Sequence, residues 1–212
     1  MLLAGPPGSG KTAIAAHLAS SAGVGYVKLV SCEQMAGADG AERLSRITQA
    51  FEGAHRARHG IVLLDDLERL LSWSPIGPSF DNTILQALYV LIKKRPPRGR
   101  RTLVIGTTSD EVAVRALCLP AFFDATLTVP LLNRAEAEVV LRETDAFSRS
   151  ADAEAAASAI PQSGIGVKRL LNLVDLAHEG GPHASLDCFL ECLTTGAGTY
   201  ADSGPEEPVQ ET

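Results

Sequence analysis

The stretch Gly5-Pro6-Pro7-Gly8-Ser9-Gly10-Lys11-Thr12 directly follows the apolar run Met1-Leu2-Leu3-Ala4, so the spacing G-x-x-x-x-G-K-[ST] falls where a strand ends. Glycines at such positions let the backbone curl until several N–H groups point inward. A lysine then reaches the outer phosphates of a nucleotide, and a hydroxyl at the start of the next helix can ligate Mg²⁺. That helix is supplied by Ala13, Ile14, Ala15, Ala16, His17, Leu18 and Ala19, mostly good helix formers. The expected phosphate cradle is therefore Gly5, Pro6, Pro7, Gly8, Ser9, Gly10, Lys11 and Thr12, with Thr12 on the metal.

Outward from this loop, strands and helices alternate. Val24–Val30 reads as a strand and Ala41–Arg58 as an amphipathic helix closed by Gly60. Ile61-Val62-Leu63-Leu64 is a short continuous apolar run, the pattern of a strand buried on both faces, and it ends in Asp65-Asp66. Phe80–Lys94 carries a helical stripe (Ile84, Leu85, Leu88, Leu91, Ile92) stopped by Pro96. Leu103–Gly106 is another buried strand, ending in Thr107-Thr108-Ser109, and Ala125–Val129 is a fifth. The expected fold is α/β: a five-stranded parallel sheet with helices on both faces and its ligand at the carboxyl ends of the strands.

From Asn133 onward only helices are expected, near 134–145, 151–159, 167–178 and 185–194. The domain reading is a nucleotide-binding subdomain over 1–132, a small all-helical subdomain over 133–195 and a disordered acidic tail over 196–212, where Asp202, Glu206, Glu207 and Glu211 have no basic neighbour. Three or four residues before the first glycine are short for a first strand, so the chain is expected to be truncated at its N-terminus.

Composition narrows the function. The 212 residues are 45% hydrophobic with a net charge of −6, which suits a soluble globular protein and argues against a dominant nucleic-acid-binding role. The one basic cluster, Lys93-Lys94-Arg95 to Arg98-Gly99-Arg100-Arg101, reads as a solvated helix end plus loop. Cys32, Cys118, Cys188 and Cys192 form no C-x-x-C pair and read as reduced, mostly buried thiols of a cytosolic protein; His55 and His59 read as a surface pair at a helix end. No uncharged run approaches the length of a membrane span, so direct membrane insertion is not expected.

The acidic pair follows a buried strand, as in a nucleotide hydrolase. Asp65 is expected to hold Mg²⁺ and Asp66 to polarise the attacking water, although Asp is one methylene shorter than the Glu expected there. Ser109 ends a strand expected between the loop strand and the acidic strand, within reach of the γ-phosphate or the lytic water. Lys168, after Gly164-Ile165-Gly166, is expected to reach the γ-phosphate from the start of a helix.

With these residues in hand, the chain resembles the AAA ATPase family and, within it, the second ATPase domains of the vesicle-fusing ATPases. The likeness runs from Leu2 to about Leu193. It rests on Gly5-Pro6-Pro7, Ser9-Gly10-Lys11-Thr12, Asp65-Asp66-Leu67-Glu68-Arg69-Leu70-Leu71, Pro75-Ile76-Gly77-Pro78, Lys93-Lys94 with Pro96-Pro97, Ile105-Gly106-Thr107-Thr108-Ser109 and Ile165-Gly166-Val167-Lys168. An ordinary AAA domain carries Asp-Glu and a later Asn where this chain has Asp66 and Ser109, and those second domains resemble it at both. The resemblance implies a P-loop NTPase fold, Mg²⁺-ATP held between two subdomains, and a homohexameric ring. It further implies a cytoplasmic machine, associated with vesicle and Golgi membranes through its partners, that uses soluble attachment proteins to take SNARE complexes apart.

One departure from the general pattern bears on rate. Active AAA domains receive arginines from a neighbouring subunit in the segment after the Ser109 strand, yet no arginine lies between Arg115 and Arg134. An arginine finger is worth about 10³–10⁵ in rate. Together with the short Asp66, this favours a domain that binds ATP to hold a ring and hydrolyses it slowly over the alternative, a fully active motor domain.

Overall fold

The computed structural model describes residues 1–74, 79–178 and 183–196. Five strands, β1 (Leu2–Ala4), β2 (Tyr26–Val30), β3 (His59–Leu64), β4 (Arg101–Thr108) and β5 (Thr126–Thr128), form one sheet in the order β2-β3-β4-β1-β5. Every pairing is parallel. The helices among the described residues are α1 (Lys11–Ser21), α2 (Gly40–Arg56), α3 (Leu67–Leu70), α4 (Asn82–Lys93), α5 (Glu111–Ala116), α6 (Arg134–Glu143), α7 (Ser150–Ala159), α8 (Val167–Leu176) and α9 (Leu186–Thr195). This is the five-stranded parallel α/β sheet of a P-loop NTPase.

The described residues divide into two compact units, one of Met1–Pro6 with Gly10–Pro130, the other of the loop tip Pro7–Ser9 with the described residues between Leu131 and Gly196. In the first unit, alternation along the strands sends side chains to two cores. Leu2, Val62 and Leu64 join Ile47, Phe51 and Ala54 of α2 and Ile84 and Leu88 of α4 on one face. Leu3, Ile61, Leu63 and Ile105 meet Ala15 and Ala19 of α1 on the other. Helix starts are set by side-chain caps: Asp39 accepts from Glu42 N–H, Asp81 from Ile84 N–H and Asp110 from Ala113 N–H. In the second unit, Ala137, Leu141, Ala156, Leu170, Leu173 and Phe189 form a separate core, and Asn133 with Glu136 makes a reciprocal capping box at α6.

Because β4 lies between β3 and β1, the loop after β1 and the acidic pair after β3 flank the end of β4. Leu64 is opposite Gly106 and Leu3 opposite Thr107, so Asp65 and Gly5 emerge beside Thr107 and Thr108. A reversal of strand order of this kind leaves a crevice at the carboxyl ends.

Several details differ from the sequence expectations. Helix α2 stops at Arg56, and Gly60 sits inside β3, where a Cβ would come within 2.6 Å of the Ala54 carbonyl oxygen. The need there is close helix–strand packing rather than a stop. His55 is buried and only His59 is exposed, so the two do not form a surface pair. Cys118 is exposed and the other three cysteines are half-buried, not core thiols. Strand β4 runs on through Thr107 and Thr108, both buried, and stops one residue before Ser109. The short α5 has no long apolar stripe to announce it. Pro75-Ile76-Gly77-Pro78 and the acidic stretch 197–212 lie outside the described residues.

Candidate functional site

The loop is built around backbone that only glycine suits. A Cβ on Gly5 would overlap the Val129 carbonyl oxygen, and Gly8 and Gly10 take φ values of +73° and +93°. Gly10 is also the N-cap of α1. Lys11 is 5% exposed, and its ammonium donates to the carbonyl oxygens of Gly5 (2.9 Å) and Pro6 (2.8 Å). The Ser9 hydroxyl is buried without a hydrogen-bond partner among the described residues. Pro6 and Pro7 face solvent.

Asp65 is the hub of the site. Its Oδ1 accepts from Thr12 Oγ1 and from Thr107 Oγ1, both at 2.7 Å, while its backbone N–H donates to Val30 at 2.9 Å. The Thr107 hydroxyl in turn accepts the Asp66 N–H at 2.9 Å. Thr107 therefore ties both acids to the end of β4. Sequence reading passed over it in favour of Ser109; the signal was its place in a buried strand, two residues earlier on the same period-2 pattern.

Asp66 sits at φ +49°, ψ +69°, a left-handed conformation that Asp tolerates better than most residues. It stands at the N-cap of α3, but its side chain makes no capping bond. Burial, and then the neighbouring charges of Glu68 and Asp65, hold its carboxyl above the usual carboxylate range, while Arg69 and Lys11 pull the other way. Arg69 Nε is 4.0 Å from Asp66 Oδ2. A cleft of about 510 Å³ opens beside this pair and is lined in part by Thr12, Ser31, Cys32, Arg43, Asp65 and Asp66.

Ser109 is held by its backbone, which donates to Glu68 Oε1 at 2.8 Å. Within the second unit, the Lys168 N–H donates to the Gly8 carbonyl at 3.1 Å, and a Cβ on Gly166 would lie 3.0 Å from that same oxygen. The start of α8 is thus fastened to the loop tip through backbone, and Lys168 itself is exposed. Lys11, Thr12, Asp65 and Asp66 converge in one place, with Thr107 among them.

The donor set suits a polyphosphate with Mg²⁺. Gly8 and Gly10 hold the loop in left-handed backbone, Ser9 offers a buried hydroxyl without a partner among the described residues, and Lys11 is a buried cation lodged among carbonyls. Thr12 Oγ1 and Asp65 Oδ1, already 2.7 Å apart, are hard oxygens of the kind Mg²⁺ selects.

The model of the ATPase family associated with various cellular activities, AAA, matches residues 1–131. The chain belongs to the AAA family. It is 39% identical over 179 residues to a vesicle-fusing ATPase of Arabidopsis thaliana, covering 84% of this chain and 24% of that protein. It is 34% identical over 203 residues to the vesicular-fusion protein sec18 of Schizosaccharomyces pombe, covering 91% and 25%. Over 202 residues it is 33% identical to the vesicular-fusion protein SEC18 of Saccharomyces cerevisiae, covering 93% and 26%. This AAA chain thus spans about a quarter of the length of these relatives.

Proposed function

We propose that the chain is an ATP-binding AAA domain of a vesicle-fusing ATPase, the second of its two, in which bound nucleotide holds a homohexameric ring and is hydrolysed slowly. The observation that carries this reading is the shared Asp65 oxygen, which gathers Thr12 from the loop helix and Thr107 from β4 onto one acidic centre. Similarity to vesicle-fusing ATPases over most of the chain supplies the context. Residues 1–132 form the nucleotide-binding subdomain and 133–195 its helical companion.

When bound, Mg²⁺ neutralises the oxygens around the phosphorus under attack. The protein's own part is positioning. Loop N–H groups and the Lys11 ammonium hold the outer phosphates, Thr12 and Asp65 hold the metal, and Lys168, anchored by its backbone to Gly8, offers its ammonium to the last phosphate. Asp66 and Ser109 orient the water. No arginine lies between Arg115 and Arg134 to meet the charge that develops, so turnover is low and the nucleotide acts chiefly as a cross-link. A ligand at a hundredfold excess over its Kd stabilises its site by about 2.7 kcal/mol, enough to set an assembly equilibrium. Through its parent machine the domain serves the disassembly of SNARE complexes with soluble attachment proteins, at vesicle and Golgi membranes.

A second reading, turnover as a full motor, draws on geometry: Asp66 stands beside Asp65 at the same strand end, its N–H held by Thr107 Oγ1, where it can act on a water. Sedimentation of the chain with and without Mg²⁺-ATP, beside Lys11→Ala, tests the assembly reading. A larger species that needs both ATP and Lys11 is the expected result; a distribution indifferent to both contradicts it.

A further inference from the structure

Glu68 lies two residues beyond Asp66 on α3, and its carboxylate takes two hydrogen bonds from the end of β4. Thr108 Oγ1 donates to Oε2 at 2.9 Å and the Ser109 N–H donates to Oε1 at 2.8 Å. The Thr108 hydroxyl also meets the Asp110 N–H at 3.2 Å, and Asp110 caps α5 through the Ala113 N–H at 2.8 Å. Together with the two bonds made by the Thr107 hydroxyl, to Asp65 and from the Asp66 N–H, four hydrogen bonds join the start of α3 to the end of β4.

Helix α3 needs such ties. It is four residues long, too short to hold itself, and it follows a residue at φ +49°. A glutamate in the first turn of a short helix is ordinarily solvated; this one is half-buried and spends both oxygens on Thr108 and Ser109. Ser109 lies just past the end of β4, so nothing in the sheet ladder fixes it and its one backbone tie on the donor side is Glu68.

We infer that Glu68 is a positioning residue, whose bonds to Thr108 and Ser109 lock the Asp66 carboxylate and the Ser109 hydroxyl into one geometry. The inference rests on the reading above, in which Asp66 and Ser109 act on the water and the last phosphate. Without Glu68 the two groups drift independently, and a displacement of about 1 Å costs on the order of a hundredfold in rate. Phosphate grip, which belongs to the loop, is left alone. A glutamine preserves the arrangement: its carbonyl accepts from Ser109 and its amide donates to the Thr108 oxygen.

The test uses the full chain with Glu68→Ala, Glu68→Gln and Thr108→Val. Three quantities are read: hydrogen exchange of the Ser109 amide, affinity for a fluorescent ATP analogue with Mg²⁺, and single-turnover hydrolysis of radiolabelled ATP. Expected for Glu68→Ala are Ser109 exchange faster by about tenfold or more, analogue affinity within about threefold of wild type, and hydrolysis slower by at least about tenfold. Glu68→Gln should stay within about threefold of wild type in all three, and Thr108→Val should fall between them. Unchanged Ser109 protection in Glu68→Ala overturns the staple itself. Lost protection with wild-type hydrolysis overturns the positioning role. A wild-type chain that binds the analogue but never hydrolyses it overturns the reading of Asp66 and Ser109, and the role of Glu68 with it. Should Glu68→Ala unfold, Glu68→Gln and Thr108→Val decide: a Glu68→Gln chain as slow as a misfolded one contradicts the proposal.

Discussion

Thr107 Oγ1 donates to Asp65 Oδ1 at 2.7 Å while accepting the Asp66 N–H at 2.9 Å, so one hydroxyl, 2% exposed, fixes both acids of the site. The acids and the loop helix are then tied to the same strand end, and the geometry of the proposed phosphate site depends on a hydroxyl in the sheet rather than in the loop.

Thr107→Val keeps the shape and deletes both bonds, leaving the Asp66 N–H without its acceptor. The expected loss is about 1–2 kcal/mol of folding stability, the lower range for an unsatisfied donor because Asp66 is half-buried. Urea denaturation measures it, and Thr107→Ser should recover most of the loss. Equal stability of Thr107→Val and wild type would mean the hydroxyl is dispensable.

Gly5→Ala tests the loop's closest backbone approach. The added Cβ overlaps the Val129 carbonyl oxygen, and backbone yields less readily than a side chain. The expected penalty is about 3 kcal/mol, the upper end for overpacking. Gly25→Ala, where a Cβ meets nothing within 4 Å, is the control and should leave the melting temperature nearly unchanged.

Lys168→Ala should weaken ATP by roughly ten- to a hundredfold, as expected for a charge-assisted hydrogen bond, and ADP much less. Calorimetric titration with both nucleotides checks it. Equal losses would leave Lys168 as a solvated lysine whose role ends with its backbone bond to Gly8.

His55 gives the fold a dependence on pH. Burial, and then the nearby charge of Lys94, lower its pKa below the ordinary 6.5, so the folded state favours the neutral ring. Below pH 6.5 the unfolded chain binds the extra proton and the folded chain does not, so stability at this site is full above that value and is lost as pH falls toward the folded pKa. His55→Gln should flatten the fall in melting temperature between pH 7 and 5. An unaltered slope would remove His55 as its source.

Much of this was legible in the sequence because it rests on local rules. The loop at 5–12 has a spacing that dictates its backbone, and Ile61–Leu64 is apolar on both faces because a central parallel strand must be. Strand periodicity marks Thr107 as a candidate, but its role and that of Glu68 depend on register, which sets Thr107 against Leu3 and brings Glu68 to the end of β4. His55 was misread because a histidine near a helix end gives no sign of which side the next strand covers. Gly60 was misread because helix stops and tight helix–strand contacts ask for the same residue.

Single-turnover hydrolysis of radiolabelled ATP by assembled wild-type and Asp66→Glu chains tests the central claim most directly. Lengthening the carboxylate restores reach, yet a glutamate sits less easily than aspartate at φ +49°, and the charge developing on the transferred phosphoryl group still meets no arginine from the 116–133 segment. The account predicts a wild-type rate constant far below about 1 s⁻¹ and a gain from Asp66→Glu of no more than about tenfold. A wild-type value of about 1 s⁻¹ or above, the range of ordinary enzymes, would contradict the ring-holding account and make the domain a motor.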